Sequence, residues 1–155
     1  MASGSVERVR AALLAARHDG EILEFAASTK TAADAAAAVG CSVAQIAKSI
    51  LLRAGERPVL VVASGTNRVD PAKVAVLVGQ PVERADGRWV REATGFAIGG
   101  VAPVAHSART IVLIDRDLAA LDPIYAAAGS PNSVFRTSFA ELVRMSEGTV
   151  ADVRE

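Results

Sequence analysis

Two β-rich runs, Ile50–Arg53 and Val59–Ala63, stand only five residues apart, across Ala54-Gly-Glu-Arg-Pro58. So short a connection carrying Gly and Pro cannot hold a crossover helix, so the two runs must form an antiparallel hairpin. This pairing constrains the rest of the chain. Arg109–Ile114 and Ile124–Ala127 are further β-rich runs, and Asn132–Arg136 pairs plausibly with the latter across Gly129-Ser-Pro131. Glu21–Ala26 and Val82–Arg84 read as short strands.

Helices are marked by their caps. Ser5 opens a first helix in which Val6, Val9, Leu13 and Ala16 keep helical spacing, with Gly20 as its stop. Thr31-Ala-Ala-Asp34 starts the Ala-rich run to Val39, and Gly40 ends it. Ser42-Val-Ala-Gln45 is a second box, starting a short helix through about Lys48. Asp70-Pro71 opens a helix to Val78, Asp86 one through Trp89–Ala93, Asp115 a helical turn to Ala120, and Ser138 a last helix to about Met145. The tail to Glu155 reads as a further turn. Strands and helices do not alternate regularly, which excludes a Rossmann arrangement. The expectation is one compact α/β domain over residues 1–155, with a mixed, mostly antiparallel sheet flanked by short helices.

Composition narrows the function. Seventeen basic residues balance seventeen acidic ones, so no broad basic surface exists to wrap long nucleic acid, although a local contact with an RNA end is open. No apolar run is long enough to span a membrane. Met1–Arg10 has no apolar core of a signal peptide, so a cytoplasmic location is expected, and neither DNA nor a membrane is an expected partner. Walker, HExxH, paired-cysteine and GxSxG signatures are absent, and the histidines are His18 and His106 alone. No metal and no cofactor are expected.

A few residues remain as candidates. Cys41 at a helix start is either a nucleophile with a depressed pKa or a small packing residue, and the packing reading is preferred. The chain has fourteen arginines and three lysines, Lys30, Lys48 and Lys73. Where arginine is the habitual cation, a lysine marks either a site needing a compact ammonium or drift on a solvated surface. Lys48, beside the apolar strand, either snorkels to solvent or points into a cleft. Gly95, Gly99 and Gly100, with Pro103 closing the run, describe tightly turned bare backbone. Such backbone is either an ordinary turn or a set of amides able to stabilise charge developing on a carbonyl oxygen. His106 reads from the sequence as an acid, a base, an RNA contact or a surface residue, and the surface reading is preferred.

Three separated strings, Gln45-Ile-Ala-Lys48-Ser-Ile-Leu-Leu52, Thr94-Gly-Phe-Ala-Ile-Gly-Gly-Val-Ala-Pro103 and Gly129-Ser-Pro-Asn-Ser-Val-Phe135, resemble the YbaK family in the family's order. That family includes the editing domain inserted in bacterial prolyl-tRNA synthetases, and the resemblance runs from about Ser28 to Val153. It implies a trans-acting aminoacyl-tRNA deacylase that clears mischarged tRNA, often a small amino acid on the proline tRNA. Lys48 matches the family's functional lysine, which engages the tRNA 3′ end and the reacting ester. Gly99–Pro103, with Gly100, Val101 and Ala102 between, matches the loop that holds the aminoacyl group through its backbone. Gly129 and Ser130 match a loop beside the same pocket. Ile46, Ile50, Phe96 and Val101 are candidates for the pocket wall, and His106 for a contact to substrate. The implied partners are the acceptor end of a mischarged tRNA and an aminoacyl-tRNA synthetase. The competing expectation is a non-catalytic module that binds the acceptor end or a nucleotide.

Overall fold

The computed structural model describes residues 2–107 and 109–155. The described residues form one eight-stranded sheet with helices on both faces. The elements run in the order α1 (Ala2–Ala15), β1 (Ile22–Glu24), α2 (Ala32–Val39), β2 (Ile46–Ala54), β3 (Arg57–Ser64), α3 (Pro71–Val78), β4 (Glu83–Arg84), α4 (Gly87–Thr94), β5 (Ile111–Asp115), β6 (Ile124–Ala127), β7 (Ser133–Thr137), α5 (Phe139–Ser146) and β8 (Thr149–Ala151). Across the sheet the order is β1-β7-β6-β2-β3-β5-β8, with β4 beside β2. The pairs β1/β7, β2/β3, β2/β4 and β6/β7 are antiparallel, while β2/β6, β3/β5 and β5/β8 are parallel. The mixed, mostly antiparallel α/β sheet expected from the sequence is therefore present.

The caps act as the sequence indicates. Thr31, Asp70, Asp86 and Ser138 each accept a backbone amide of the first turn through their side chains. Gly40, Gly79 and Gly95 end their helices in the left-handed region, where a side chain would be strained.

Four local expectations are corrected. Ser5 lies inside α1, which begins earlier, and its hydroxyl donates to the Gly129 carbonyl at 2.6 Å; the helix stops at Ala15 rather than at Gly20. The box at Ser42 and Gln45 forms, but it opens only a 3₁₀ turn, Val43–Gln45, because the apolar strand begins at once. Lys48 is therefore a strand residue. The hairpin turn between β2 and β3 is only Gly55-Glu56, since Ala54 already faces Arg57. The tail is not a turn: Thr149–Ala151 pairs parallel with β5 and closes that edge of the sheet.

Alternation along β2 and β3 divides the core. Ala47, Leu51, Leu60 and Val62 face a large cluster roofed by α1, α4, α5 and the 96–104 segment. Leu52, Val59 and Val61 face a second cluster under Val74 of α3. A third, around Ile46 and Val134, is covered by Ala35 and Ala36 of α2. Among the described residues no helix is long and apolar enough to cross a membrane.

Candidate active site

A cleft of about 410 Å³ opens along the middle of β2. One wall is α2 with the segment before it, the other is Ile98, Gly99 and Val101, and β6 closes the end through Tyr125–Ala127. Its surface is mainly apolar, from Ile46, Ile50, Leu51, Val90 and Val101, with three cations on its lining, Lys30, Lys48 and Arg84. No Asp or Glu is among the described residues that line it.

Lys48 stands opposite Ala63 on β3 and is half-buried, with Nζ 3.4 Å from the Gly65 carbonyl oxygen. Burial lowers its pKa below the ordinary lysine range, the Arg68 guanidinium adds to this, and the Asp115 carboxylate opposes it. Asp115 is buried and fully engaged. Its Oδ2 accepts the Ser64 amide at 3.0 Å and Asn67 Nδ2 at 2.8 Å, and its Oδ1 accepts the Asp117 amide at 2.9 Å. These bonds fix the 64–67 turn, and so the carbonyl on which Lys48 rests.

The glycine segment splits in two. Gly99, at φ +85°, lines the cleft, and a Cβ there would lie 2.4 Å from Lys30 Cγ. The lysine stem thus packs over bare backbone. Gly100 is turned away: its amide donates to the Ala97 carbonyl at 2.9 Å, and a Cβ on it would meet the Ser130 backbone at 2.7 Å. Its role in this geometry is to close the turn and seat it on the 129–131 loop. A Cβ on Gly129 would meet the Ser5 carbonyl oxygen at 2.7 Å, and Ser130 is buried, its hydroxyl bonded to Asn132 and Ser133.

The remaining sequence candidates separate. Ile46, Ile50, Val101, Lys48 and Gly99 converge on the cleft. Phe96 and Ala102 do not line it and belong to the large core cluster. Phe96 anchors the segment from below, with the Arg8 guanidinium 4.1 Å over its ring. Pro103 and His106 line a different cavity, and His106 is half-buried rather than a surface group. His106 Nε2 donates to the Ala102 carbonyl at 2.5 Å, and burial foremost lowers the imidazole's pKa. Cys41 packs beside the α2 cluster, and burial pushes its thiol up, against a nucleophilic role.

Two charged residues of the cleft lie outside the three sequence strings, Lys30 and Arg84. The scarcity of lysine was the one signal for Lys30: two of the three lysines meet in the cleft, while Lys73 forms a 2.8 Å ion pair with Asp152. Among the described residues no cluster of three His, Cys, Asp or Glu could hold a metal.

Comparison with known proteins gives a consistent picture. Residues 26–145 match the aminoacyl-tRNA editing domain. The uncharacterized protein YwhH of Bacillus subtilis (strain 168) is 31% identical over 143 residues, 92% of this chain and 91% of the relative. A crystal structure of a protein proposed as a trans-editing enzyme for prolyl tRNA synthetase is 41% identical, with a TM-score of 0.91 and 97% of each chain covered. That of a hypothetical protein is 32% identical, with a TM-score of 0.88, covering 96% of this chain and 99% of the other.

Proposed function

We propose, from the premise that this chain belongs to the aminoacyl-tRNA editing domain family, that it is a freestanding deacylase which hydrolyses the ester of mischarged tRNA, with a small amino acid on the proline tRNA as substrate. The observation that carries this reading is the meeting of Lys48 and the Gly99 turn on one apolar cleft. The whole chain is read as a single editing domain, residues 1–155.

The chemistry asks for little. An aminoacyl ester is already activated, so positioning and stabilisation of the developing oxyanion suffice, with water as nucleophile. Water adds to the acyl carbon, the tetrahedral oxyanion collapses, and the ribose oxygen leaves with a proton. A vicinal hydroxyl of the terminal ribose is well placed to handle that proton, which accounts for a site without a triad. Lys48 supplies positive charge to a terminal phosphate or to the oxyanion. Gly99 lets the acceptor end lie against backbone, and Ile46, Ile50 and Val101 wall the acyl side chain. A hydrophobic wall separates substrates differing by one methylene by only about 1–3 kcal/mol, so these side chains set which small amino acid is removed. A synthetase that delivers the tRNA is the natural partner.

The test is deacylation of alanyl-, cysteinyl- and seryl-tRNA built on the proline acceptor, with Lys48→Ala alongside. Rapid loss of one species, abolished in the folded variant, is expected. Binding of the acceptor end without release of amino acid from any species would instead identify a non-catalytic module.

A further inference from the structure

The middle of β2 is hydrogen-bonded on one side only. β3 covers the strand from Ala47 to Ala54, but on the other side β6 reaches only Ile46 and Ala47, and β4 only Leu52 and Arg53. The burial of β2 follows this pattern, with residues 46–47 and 51–52 buried and residues 48–50 partly open.

The hairpin determines which backbone groups face the gap. Pro58 stands opposite Arg53 and has no N–H to give, so that pair is of the non-hydrogen-bonded kind. The two kinds alternate along an antiparallel ladder. Lys48, Ile50 and Leu52 therefore exchange their bonds with β3, and residues 47, 49, 51 and 53 turn theirs outward. Ser64 agrees with this phase: it faces Ala47, yet its amide donates to Asp115. β6 takes up Ala47, and β4 takes up Arg53 and, through the Leu52–Arg84 pair, the Leu51 carbonyl. The Ser49 N–H, the Ser49 C=O and the Leu51 N–H are left facing the cleft. Ser49 is partly exposed although its hydroxyl oxygen is buried and has no partner among the described residues. What it offers the cleft is main chain.

We infer that this open edge holds the aminoacyl group as a one-residue strand, its α-ammonium donating to the Ser49 carbonyl and its acyl oxygen accepting from the Ser49 or the Leu51 amide. The inference rests on the editing reading and adds the contacts that recognise an amino acid as such. An acceptor between two donors complements a cationic donor next to a carbonyl. Because no carboxylate is found on the described lining, an ammonium entering the cleft has carbonyl oxygens as its strongest acceptors. Lys30 and Lys48 repel that ammonium and attract phosphate, which orients the acceptor end with its backbone toward the lysines. Ile46, Ile50, Leu51, Val90 and Val101 are left to meet the side chain.

The test uses the full ¹⁵N-labelled chain and 3′-alanylamino-3′-deoxyadenosine, whose amide resists hydrolysis, with hydrogen exchange read residue by residue. In the free protein, the Ser49 and Leu51 amides are expected to exchange fast while those of Lys48, Ile50 and Leu52 are protected. The analogue should slow Ser49 or Leu51 by at least about tenfold, and replacing its ammonium by a hydroxyl should weaken binding about ten- to a hundredfold. Unchanged exchange at both amides, with the Gly99 and Lys30 signals shifted by the analogue, overturns the inference and leaves the editing reading intact. Equal affinity for the hydroxyl analogue overturns the ammonium contact. No perturbation anywhere in the cleft of the folded protein would remove the editing reading and the inference together.

Discussion

β2 and β3 are neighbours joined by a full ladder, and both are rich in Ile, Leu and Val, yet they have opposite environments. β3 has β2 on one side and β5 on the other, and every residue from Pro58 to Ser64 is buried. β2 is as central, but its outer neighbours are two short strands that leave its middle uncovered. The contrast comes from the edges and owes little to side-chain character. A central strand becomes a binding surface where its neighbours are too short to reach it.

That contrast can be attacked at either strand. Truncating β3 should cost most: Leu60→Ala removes a side chain with no exposed surface and should lower stability by about 2–5 kcal/mol, measured by urea unfolding. The comparison fails if Leu60→Ala costs less than a surface substitution. Lys48→Ala on β2 should do the reverse, leaving the unfolding midpoint near the parent's while kcat/KM for deacylation falls about 10²- to 10³-fold. Gly100→Ala should fall between them. Its Cβ would press on the Ser130 backbone, so the turn must shift, at about 1–3 kcal/mol of stability and with loss of activity, read by melting and by deacylation together.

A smaller effect concerns pH. The Lys48 cation is present below its pKa and lost above it, and burial, with Arg68, sets that pKa below the ordinary lysine range. Enzymatic deacylation, corrected for spontaneous ester hydrolysis, should therefore decline with rising pH earlier than an ordinary lysine would allow. Lys48→Ala should abolish that limb of the profile. Ser49→Ala should give the least change in stability, within about 1 kcal/mol and toward greater stability, because the hydroxyl it deletes is buried without a partner. A large destabilisation would show that the hydroxyl is bonded after all.

Most of the fold was legible because its signals are local. The caps at Thr31, Asp70, Asp86 and Ser138, the stop at Gly40 and the β2–β3 hairpin all depend on residues a few positions apart. The errors came where long-range pairing decided the matter. Ser5 looked like a cap, but its hydroxyl bonds Gly129, far along the chain. The last residues became a strand because β5 had an open parallel edge for them. At the cleft, Lys48, Ile46, Ile50, Gly99 and Val101 were readable from the sequence strings, whereas Phe96, Ala102 and Pro103 belong to the same strings and lie elsewhere, as does His106 just beyond them. Folding divides the glycine segment, sending Gly99 to the cleft and Ala102 to the core, and no spacing rule announces where it divides. The open edge at Ser49 and Leu51 had no sequence signal, since it depends on where β4 and β6 stop.

That edge bears on how such a chain can change over generations. Backbone amides and carbonyls are present for every residue but proline at positions 49 and 51, so most substitutions there leave the main-chain groups in place. Variation at Ile98, Val90 or Val101 alters the room beside that edge and leaves its hydrogen-bonding groups in place. Under the proposed contacts, a lineage can therefore exchange one amino acid for another as its target by drift in a few wall residues, while the main-chain edge is inherited unchanged.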